Sequence, residues 1–340
     1  MLRFAAIGLD HAHIFDHVRG LRAAGCECVG FDPRTTDPAV LNGFRKLFPD
    51  IPESSRERLL EDSSIDVICT AAIPTNRGQD AIDAMRRGKD VMADKPGCSS
   101  LEQLEQIERT VAETGRIYSI CFSERLCVPS AVLAGKMIQD GAIGDVVQTV
   151  GLGPHRINRP ARPSWFFEPT AIGGIINDIA SHQVDQFLFY TGSTTAEVVA
   201  SSVGNFANLA HPDFEDFGDL TLRSHHASGY IRVDWYTPDG LPVWGDGRLT
   251  ILGTKGYIEL RKYIDIAGRP GGNHLFIADG TTSRHVDASS EPLDYFTKFV
   301  ADVKSRTETA MTQHHVFETT RLALIAQRDA VRLQAPGKEH

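Results

Sequence analysis

Residues 6–15 read AIGLDHAHIF, and their reading decides the fold. The apolar run LRFAAIG (2–8) enters a turn at Gly8. An amphipathic segment over 11–24 leaves that turn as a helix, which Gly25 stops. Strand, glycine turn and helix in that order open a nucleotide-binding α/β fold. In the G-x-G-x-x-G fingerprint the second glycine lets the backbone approach a pyrophosphate, and the third lets helix pack on strand. Here Asp10 and His13 stand at those two positions. Asp10 is expected to cap the helix by accepting from free backbone N–H groups near His13, where it would compete with a phosphate. His11 and His13, in contrast, can donate to an anion. The loop alone leaves both readings open. Asp10, His11, His13 and His17 also carry metal-ligand atoms, His13 and His17 one helical turn apart. Without a clear third ligand such a pair reads as solvated or packed, so no metal is expected.

Outward from the loop, strand and helix alternate as far as residue 122. CECVGFD (26–32) is a second strand ending at Asp32. IDVICTAA (65–72) is a third, nearly all apolar, as for a parallel strand covered on both faces. A helix over 77–87 ends at Gly88, and DVMADKP (90–96) makes a fourth strand. A helix over 100–114, capped by Ser99 or Ser100 and stopped by Gly115, leads to a last strand, RIYSICF (116–122). Past residue 123 the rhythm changes. A helix near 129–140 precedes GDVVQTVGLG (144–153) and an arginine-rich loop, GPHRINRPARPSWFFEPTAIGG (153–174). An apolar helix over 174–190 follows, then strand-like runs near 196–203, 217–223, 229–237, 248–253 and 257–260, and two final helices. The expected architecture is α/β: a Rossmann parallel sheet over 1–122, then a second α/β domain over 123–340 with a large, mostly antiparallel open sheet. No flexible linker separates them, so the two are expected to pack together.

Bulk composition narrows the function. A chain of 340 residues exceeds one compact core. A net charge of −9 argues against nonspecific nucleic-acid binding and against docking on an acidic membrane. No apolar run approaches a transmembrane span, and Gly8 and Asp10 interrupt what would be a signal sequence. The cysteines form no CxxC pair, which fits a reduced, cytoplasmic protein.

Three stretches carry chemistry. Asp32 ends the second strand 24 residues after Gly8, near the spacing at which a carboxylate grips the adenosine ribose. It would repel a 2′-phosphate and favour NAD over NADP, although Arg34 close by blurs the preference; Asp-Pro is also a plain turn starter. MADKPG (92–97) sets Asp94 and Lys95 at the C-terminal end of a parallel strand, where open α/β sheets bind ligands, and Lys95 can donate to a substrate hydroxyl. In GGIINDIASHQVDQFLFYTG (173–192), Asp178 and His182 lie four apart, a spacing that stacks them on one helix face. A carboxylate beside an imidazole raises its pKa and fixes its tautomer, which suits a general base. Asp185 either extends that pair or serves packing. From the loop over 154–168, His155, Arg156 and Trp165 are candidates for the substrate rim, the alternative being a structural strap with Trp165 buried.

Together these motifs resemble the Gfo/Idh/MocA oxidoreductases over essentially the whole chain. The resemblance rests on the DKP strand end, the GGxxxDxxxHxxD helix, FSERLCVPSAVLAGKMIQDGAIGDV (122–146) and GRLTILGTKGYIEL (247–260). It implies an NAD- or NADP-dependent dehydrogenase acting on a sugar, cyclitol or sugar acid, assembled as a homodimer or homotetramer through its open sheet. It implies Lys95, Asp178 and His182 as the catalytic set. It also implies cofactor contacts from Gly8, Asp10, His11, His13, Asp32, Arg34, Ala72, Ile73, Arg77, Asp94 and Lys95. Some relatives resemble glycosidases that oxidise a sugar carbon transiently and then restore the cofactor. A third reading, a ligand-binding relative without cofactor, follows from Asp10 and His13. Besides those two, Asp94 departs from the family pattern by replacing a commoner Glu. Arg77 departs as well, standing where many members have His, and would add positive charge on the nucleotide side of the cleft.

Overall fold

In the computed structural model, which describes residues 1–335, the first lobe is a parallel sheet in the order β2-β1-β3-β4-β5. The strands are β1 (Arg3–Ile7), β2 (Glu27–Phe31), β3 (Val67–Thr70), β4 (Asp90–Asp94) and β5 (Tyr118–Cys121). Between them run α1 (Ile14–Ala23), α2 (Pro38–Leu47), α3 (Arg56–Glu61), α4 (Pro74–Arg86) and α5 (Leu101–Thr114). Every residue of β3, β4 and β5 is buried, the physical reason these strands read as unbroken apolar runs. The order reverses between β1 and β3, so a crevice opens there at the strands' C-terminal ends. Gly8 turns the chain at that point with φ +61°, and a Cβ on it would lie 2.5 Å from the Cβ of Ala72. Only glycine makes this turn.

After α6 (Ser123–Leu126) and α7 (Pro129–Gln139) comes the second lobe. Its strands are β6 (Val146–Pro154), β7 (Glu197–Gly204), β8 (Phe217–Arg223), β9 (Ser228–Asp234), β10 (Arg248–Gly253), β11 (Gly256–Arg261), β12 (His274–Asp279), β13 (Ser283–Asp287) and β14 (Val331–Leu333). They form one sheet, β13-β12-β11-β10-β6-β9-β8-β7-β14. The β6–β9 and β14–β7 pairs are parallel and the rest antiparallel. The loop after β6 contains a short α8 (Pro169–Ile172). A π-helical turn over Ile176–Ala180 then runs directly into α9 (Ser181–Thr191), which packs on the sheet. Gly229 lets α9 approach closely: a Cβ there would sit 2.7 Å from the Phe187 ring. The chain continues through α10 (Tyr295–Ser305) and α11 (Gln313–Arg328).

Several expectations need correction. Helix α1 starts at Ile14, not residue 11, and His13 is its N-cap without a side-chain bond, so Asp10 does not cap it. The apolar helix expected over 174–190 opens with a five-residue π-helical turn before its α-helical part. Helices α2 and α3 and strands β12 and β13 were not anticipated, and β14 follows the two final helices. Nor is the chain from 123 onward one packed body. Phe299, Val300 and Val303 of α10 share a core with β1 and α1, and Phe296 lies against Gly20. The amphipathic α10 buries its apolar face on the first lobe because that lobe leaves α1 uncovered there.

Candidate active site

A cavity of about 300 Å³ lies between the lobes, at the C-terminal ends of β1 and β4. Lys95 and Asp178 meet inside it. Lys95 sits just past β4, and its Nζ donates to Asp178 Oδ1 (2.7 Å) and to the Asp178 carbonyl (3.1 Å). Two of the ammonium's three donors are thereby used across the lobe boundary, and one is left for a ligand. Burial alone would raise the Asp178 carboxyl; the adjacent Lys95 overrides it and holds the group below its ordinary value.

His182 lines the same cavity but does not pair with Asp178. Asp178 lies in the π turn, where backbone pairing runs i to i+5, so a four-residue spacing no longer stacks the two side chains. Burial lowers the His182 pKa to about 3, and the carboxylate that opposes the shift is Glu124. The imidazole is therefore neutral, the reverse of the raised pKa its spacing to Asp178 suggested. Its Nδ1 is enclosed without a partner among the described residues, which leaves Nε2 to the cavity. Asp185 belongs to packing: it holds Arg125 with two bonds (2.6 and 2.7 Å) and His315 at 2.8 Å.

The loop after β6 forms the opposite wall. His155 donates through Nδ1 to the Gly153 carbonyl (3.1 Å) and lies edge-on to Trp235. Burial lowers its pKa to about 4. Trp165 lines the cavity half-buried, and its Nε1 has no partner among the described residues. Arg156 is largely spent on the carbonyls of Pro238 (2.8 Å) and Leu241. Sequence reasoning missed Arg162, Trp235, Trp244 and Tyr263 in this wall, and also the buried Glu124–Lys262 ion pair (2.8 Å) behind His182. Lys262 also donates to Gln186 (2.8 Å), and it holds Glu124 at about 2 against burial. Glu124 lies in FSERLC and Lys262 138 residues on; no local pattern joins them.

On the first lobe, Asp10 turns away from α1. Its Oδ1 accepts from Thr36 N (2.7 Å), Thr36 Oγ1 (2.8 Å) and Thr35 Oγ1 (3.2 Å), and its Oδ2 from Ile73 N (3.3 Å). One carboxylate thus joins the loops after β1, β2 and β3 across the crevice. Asp32 ends β2 as expected, and Arg34 Nε spans both its oxygens at 3.0 and 3.1 Å. Neither lines the cavity. Arg77 is buried, donating to the carbonyls of Ala72 (2.5 Å) and Lys95 and lying 3.1 Å from Asp94 Oδ2. It clamps the ends of β3 and β4 together, and little of its charge faces a nucleotide. His13 Nδ1 lies 2.9 Å from Asp94 Oδ1, and His11 Nδ1 lies 3.7 Å from Asp94 Oδ2. Burial lowers the His11 pKa well below its ordinary value. Asp94 is held far down, burial notwithstanding, by His13 and Arg77.

The first lobe supplies what a dinucleotide needs at the crevice. The Gly8 turn is present, and backbone N–H groups of Thr36 and Ile73 each hold one oxygen of an anionic group. That group is the Asp10 carboxylate, which stands in for a ligand and must let go of these donors before a ligand takes them. The residues therefore fit a dinucleotide, with the Asp10 carboxylate displaced.

A strand-order reversal at a glycine turn, with a lysine of the same lobe facing a histidine from the second, defines a Rossmann-type oxidoreductase. The family model for the oxidoreductase family with an NAD-binding Rossmann fold matches residues 43–122, and the model for the GFO/IDH/MocA C-terminal domain matches residues 132–259. The chain belongs to the Gfo/Idh/MocA family of NAD-binding oxidoreductases. A solved protein of Erwinia carotovora atroseptica, named an oxidoreductase, is 46% identical with a TM-score of 0.94, covering 98% of this chain and 100% of that one. The scyllo-inositol 2-dehydrogenase (NAD(+)) of Bacillus subtilis is 27% identical over 320 residues, covering 89% of this chain and 87% of its own length. A levoglucosan dehydrogenase solved with NADH and levoglucosan is 18% identical with a TM-score of 0.76, covering 97% and 98% of the two chains, and shares the fold.

Proposed function

We propose that this protein transfers hydride between NAD and a hydroxyl-bearing carbon of a sugar, cyclitol or sugar acid. The observation that carries the reading is that Lys95, from the first lobe, and His182, from the second, line one cavity. Bound NAD would supply the hydride acceptor at its nicotinamide ring. Lys95 keeps a free N–H for the substrate oxygen while Asp178 fixes its position. His182, neutral and open at Nε2, accepts the hydroxyl proton as the carbon is oxidised; Glu124 then faces the imidazolium. Trp165 and Trp235 provide apolar faces on which a sugar ring stacks, with Arg156 and His155 at the rim. Gly8, Ala72 and Ile73 shape the crevice, and Asp32 reaches the adenosine ribose once Arg34 turns aside. An Asp there favours NAD over NADP, and the presence of an NADP-dependent scyllo-inositol dehydrogenase among the relatives makes that choice a property of each chain.

The division near residue 122, where β5 ends, is part of the same reading: a cofactor lobe before it and a substrate lobe after. The outer sheet face, where Tyr230, Leu252 and Tyr257 are exposed, supports a homodimer or homotetramer. All six cysteines are free, which supports a reducing, cytoplasmic setting, and no helix among the described residues is long and apolar enough to cross a membrane.

Fluorescence titration with NADH and a screen of cyclitols, aldoses and aldonates with NAD test the reading. His182→Ala is expected to lower kcat by about 10²–10⁴ with the NAD affinity nearly unchanged. Equal turnover in that variant removes His182 from the chemistry. Absence of binding at millimolar NAD, with no nucleotide released on denaturation, would instead leave a carbohydrate-binding protein without cofactor.

A further inference from the structure

Two of the departures from the family pattern lie together. His13 replaces the third fingerprint glycine, Asp94 replaces a commoner Glu, and the two meet in space together with His11. One ligand atom from each of His11, His13 and Asp94 can be chosen so that all lie within 4.8 Å of one another. We propose that these three side chains form a binding site for a divalent first-row transition-metal ion at the head of α1. The proposal replaces the sequence-based expectation of no metal, which lacked a third ligand: Asp94 is that ligand, 81 residues from His13.

The donor set selects the ion. Two imidazoles and one carboxylate suit zinc, iron, cobalt or manganese, whereas magnesium and calcium favour oxygen-only cages. An aspartate brings its carboxylate one methylene closer to β4 than a glutamate would, so it reaches the histidines without overshooting them. All three residues also line the cavity that holds Lys95, so coordination positions not filled by protein face a ligand there.

A second observation is independent of the cluster's composition. Asp94 is buried, yet its Oδ2 makes no hydrogen bond among the described residues; Arg77 lies 3.1 Å away, off the bonding direction. His17, one turn further along α1 and also buried, has an Nδ1 with no partner among the described residues. Buried polar atoms without partners mark places where something else binds. Arg77 would orient Asp94 from behind, as second-layer groups do at metal sites. Its charge is balanced by Asp94, and that of Lys95 by Asp178. An added divalent ion therefore leaves the site cationic and ready for an anionic or hydroxyl oxygen in the open position.

The test is a titration of chelator-stripped full-length protein with Co²⁺ alone, followed by visible absorption and calorimetry in the absence of any nucleotide. One equivalent per chain with a ligand-field band is expected, and binding is expected to weaken about tenfold or more in His13→Ala and in Asp94→Asn. His11→Ala is a second route to the same answer should either variant fail to fold, as judged by circular dichroism. His285→Ala serves as the control, because His274 and His285, 3.0 Å apart, are another histidine pair on the molecule. No stoichiometric binding, binding that survives both His11→Ala and His13→Ala, or binding lost in His285→Ala each overturns the proposal. None of these outcomes depends on whether NAD binds, so the hydride-transfer reading stands or falls separately.

Discussion

The two walls of the cavity are built on opposite principles. In the second-lobe wall the buried carboxylates are ion-paired, Asp178 with Lys95 and Glu124 with Lys262, and His155 bonds a backbone carbonyl, while the neutral His182 Nδ1 and Trp165 Nε1 have no partner among the described residues. The first-lobe wall, over residues 8–13 and Asp94, holds one buried oxygen, Asp94 Oδ2, that makes no hydrogen bond among the described residues, and a carboxylate, Asp10, occupying donors that a ligand would use. A wall whose charges are already satisfied is preorganised for chemistry, because nothing must rearrange when charge develops. A wall whose donors are held only by a displaceable carboxylate is organised for binding something. The contrast runs parallel to the sequence: Lys95, Asp178 and His182 keep the family pattern while the fingerprint loop departs from it.

The largest effect should come from breaking the paired wall. Lys95→Met removes the donor to substrate and leaves Asp178 as an uncompensated buried carboxylate. We expect kcat to fall by about 10³-fold, the scale of losing one preorganised donor. Stability should fall by about 3–5 kcal/mol, the usual consequence of removing one partner from a buried ion pair. Urea denaturation of Lys95→Met beside Lys95→Met/Asp178→Leu separates the two effects: the double variant should recover stability and not activity. Recovery of neither would mean that the pair is not what stabilises the lobe boundary.

The next effect probes the binding wall. Asp10→Gly frees the N–H groups of Thr36 and Ile73 and removes a negative charge beside the expected diphosphate. NADH affinity should rise about tenfold, close to 1.4 kcal/mol. A fall in affinity would show that Asp10 itself contacts the cofactor and that the walls differ less than their bonding implies.

The last prediction concerns the pH dependence of stability. His17 and His182 are buried, with pKa values lowered by burial to about 4 and about 3, below the ordinary 6.5. The unfolded chain therefore binds protons that the folded chain refuses. Their contribution to stability is full above pH 6.5 and is lost as the pH falls from there toward 4 and 3, by at most about 1.4 kcal/mol per pH unit for each histidine. Denaturant midpoints across that range should decline, and His182→Gln should flatten one share of the slope. An unchanged slope in that variant would place its proton uptake elsewhere.

Much of the fold was readable along the chain. The glycine stops after α1, α4 and α5 and the apolar runs of β3 and β4 carry local signals, set by backbone freedom and by burial on both faces. Lys95 was readable too, because its place at a strand end is itself a local fact. The surroundings of His182 were not. The four-residue spacing to Asp178 holds only for an α-helix, and the π turn cancelled it, while Glu124 and Lys262 are brought to the site by the lobe boundary. Strands β12 and β13 were missed because LFIA and RHV are short runs among glycines and charges.

The sequence by itself determined the two-lobe α/β architecture, the glycine turn and the residues available for chemistry, because period, turn chemistry and residue type act over a few neighbouring positions. Only the tertiary structure decided which of those residues meet: Lys95 with Asp178, His13 with Asp94, Asp10 with Thr36 and Ile73. Those meetings span 83, 81, 26 and 63 residues, and over such separations contact is set by how helices and sheets pack.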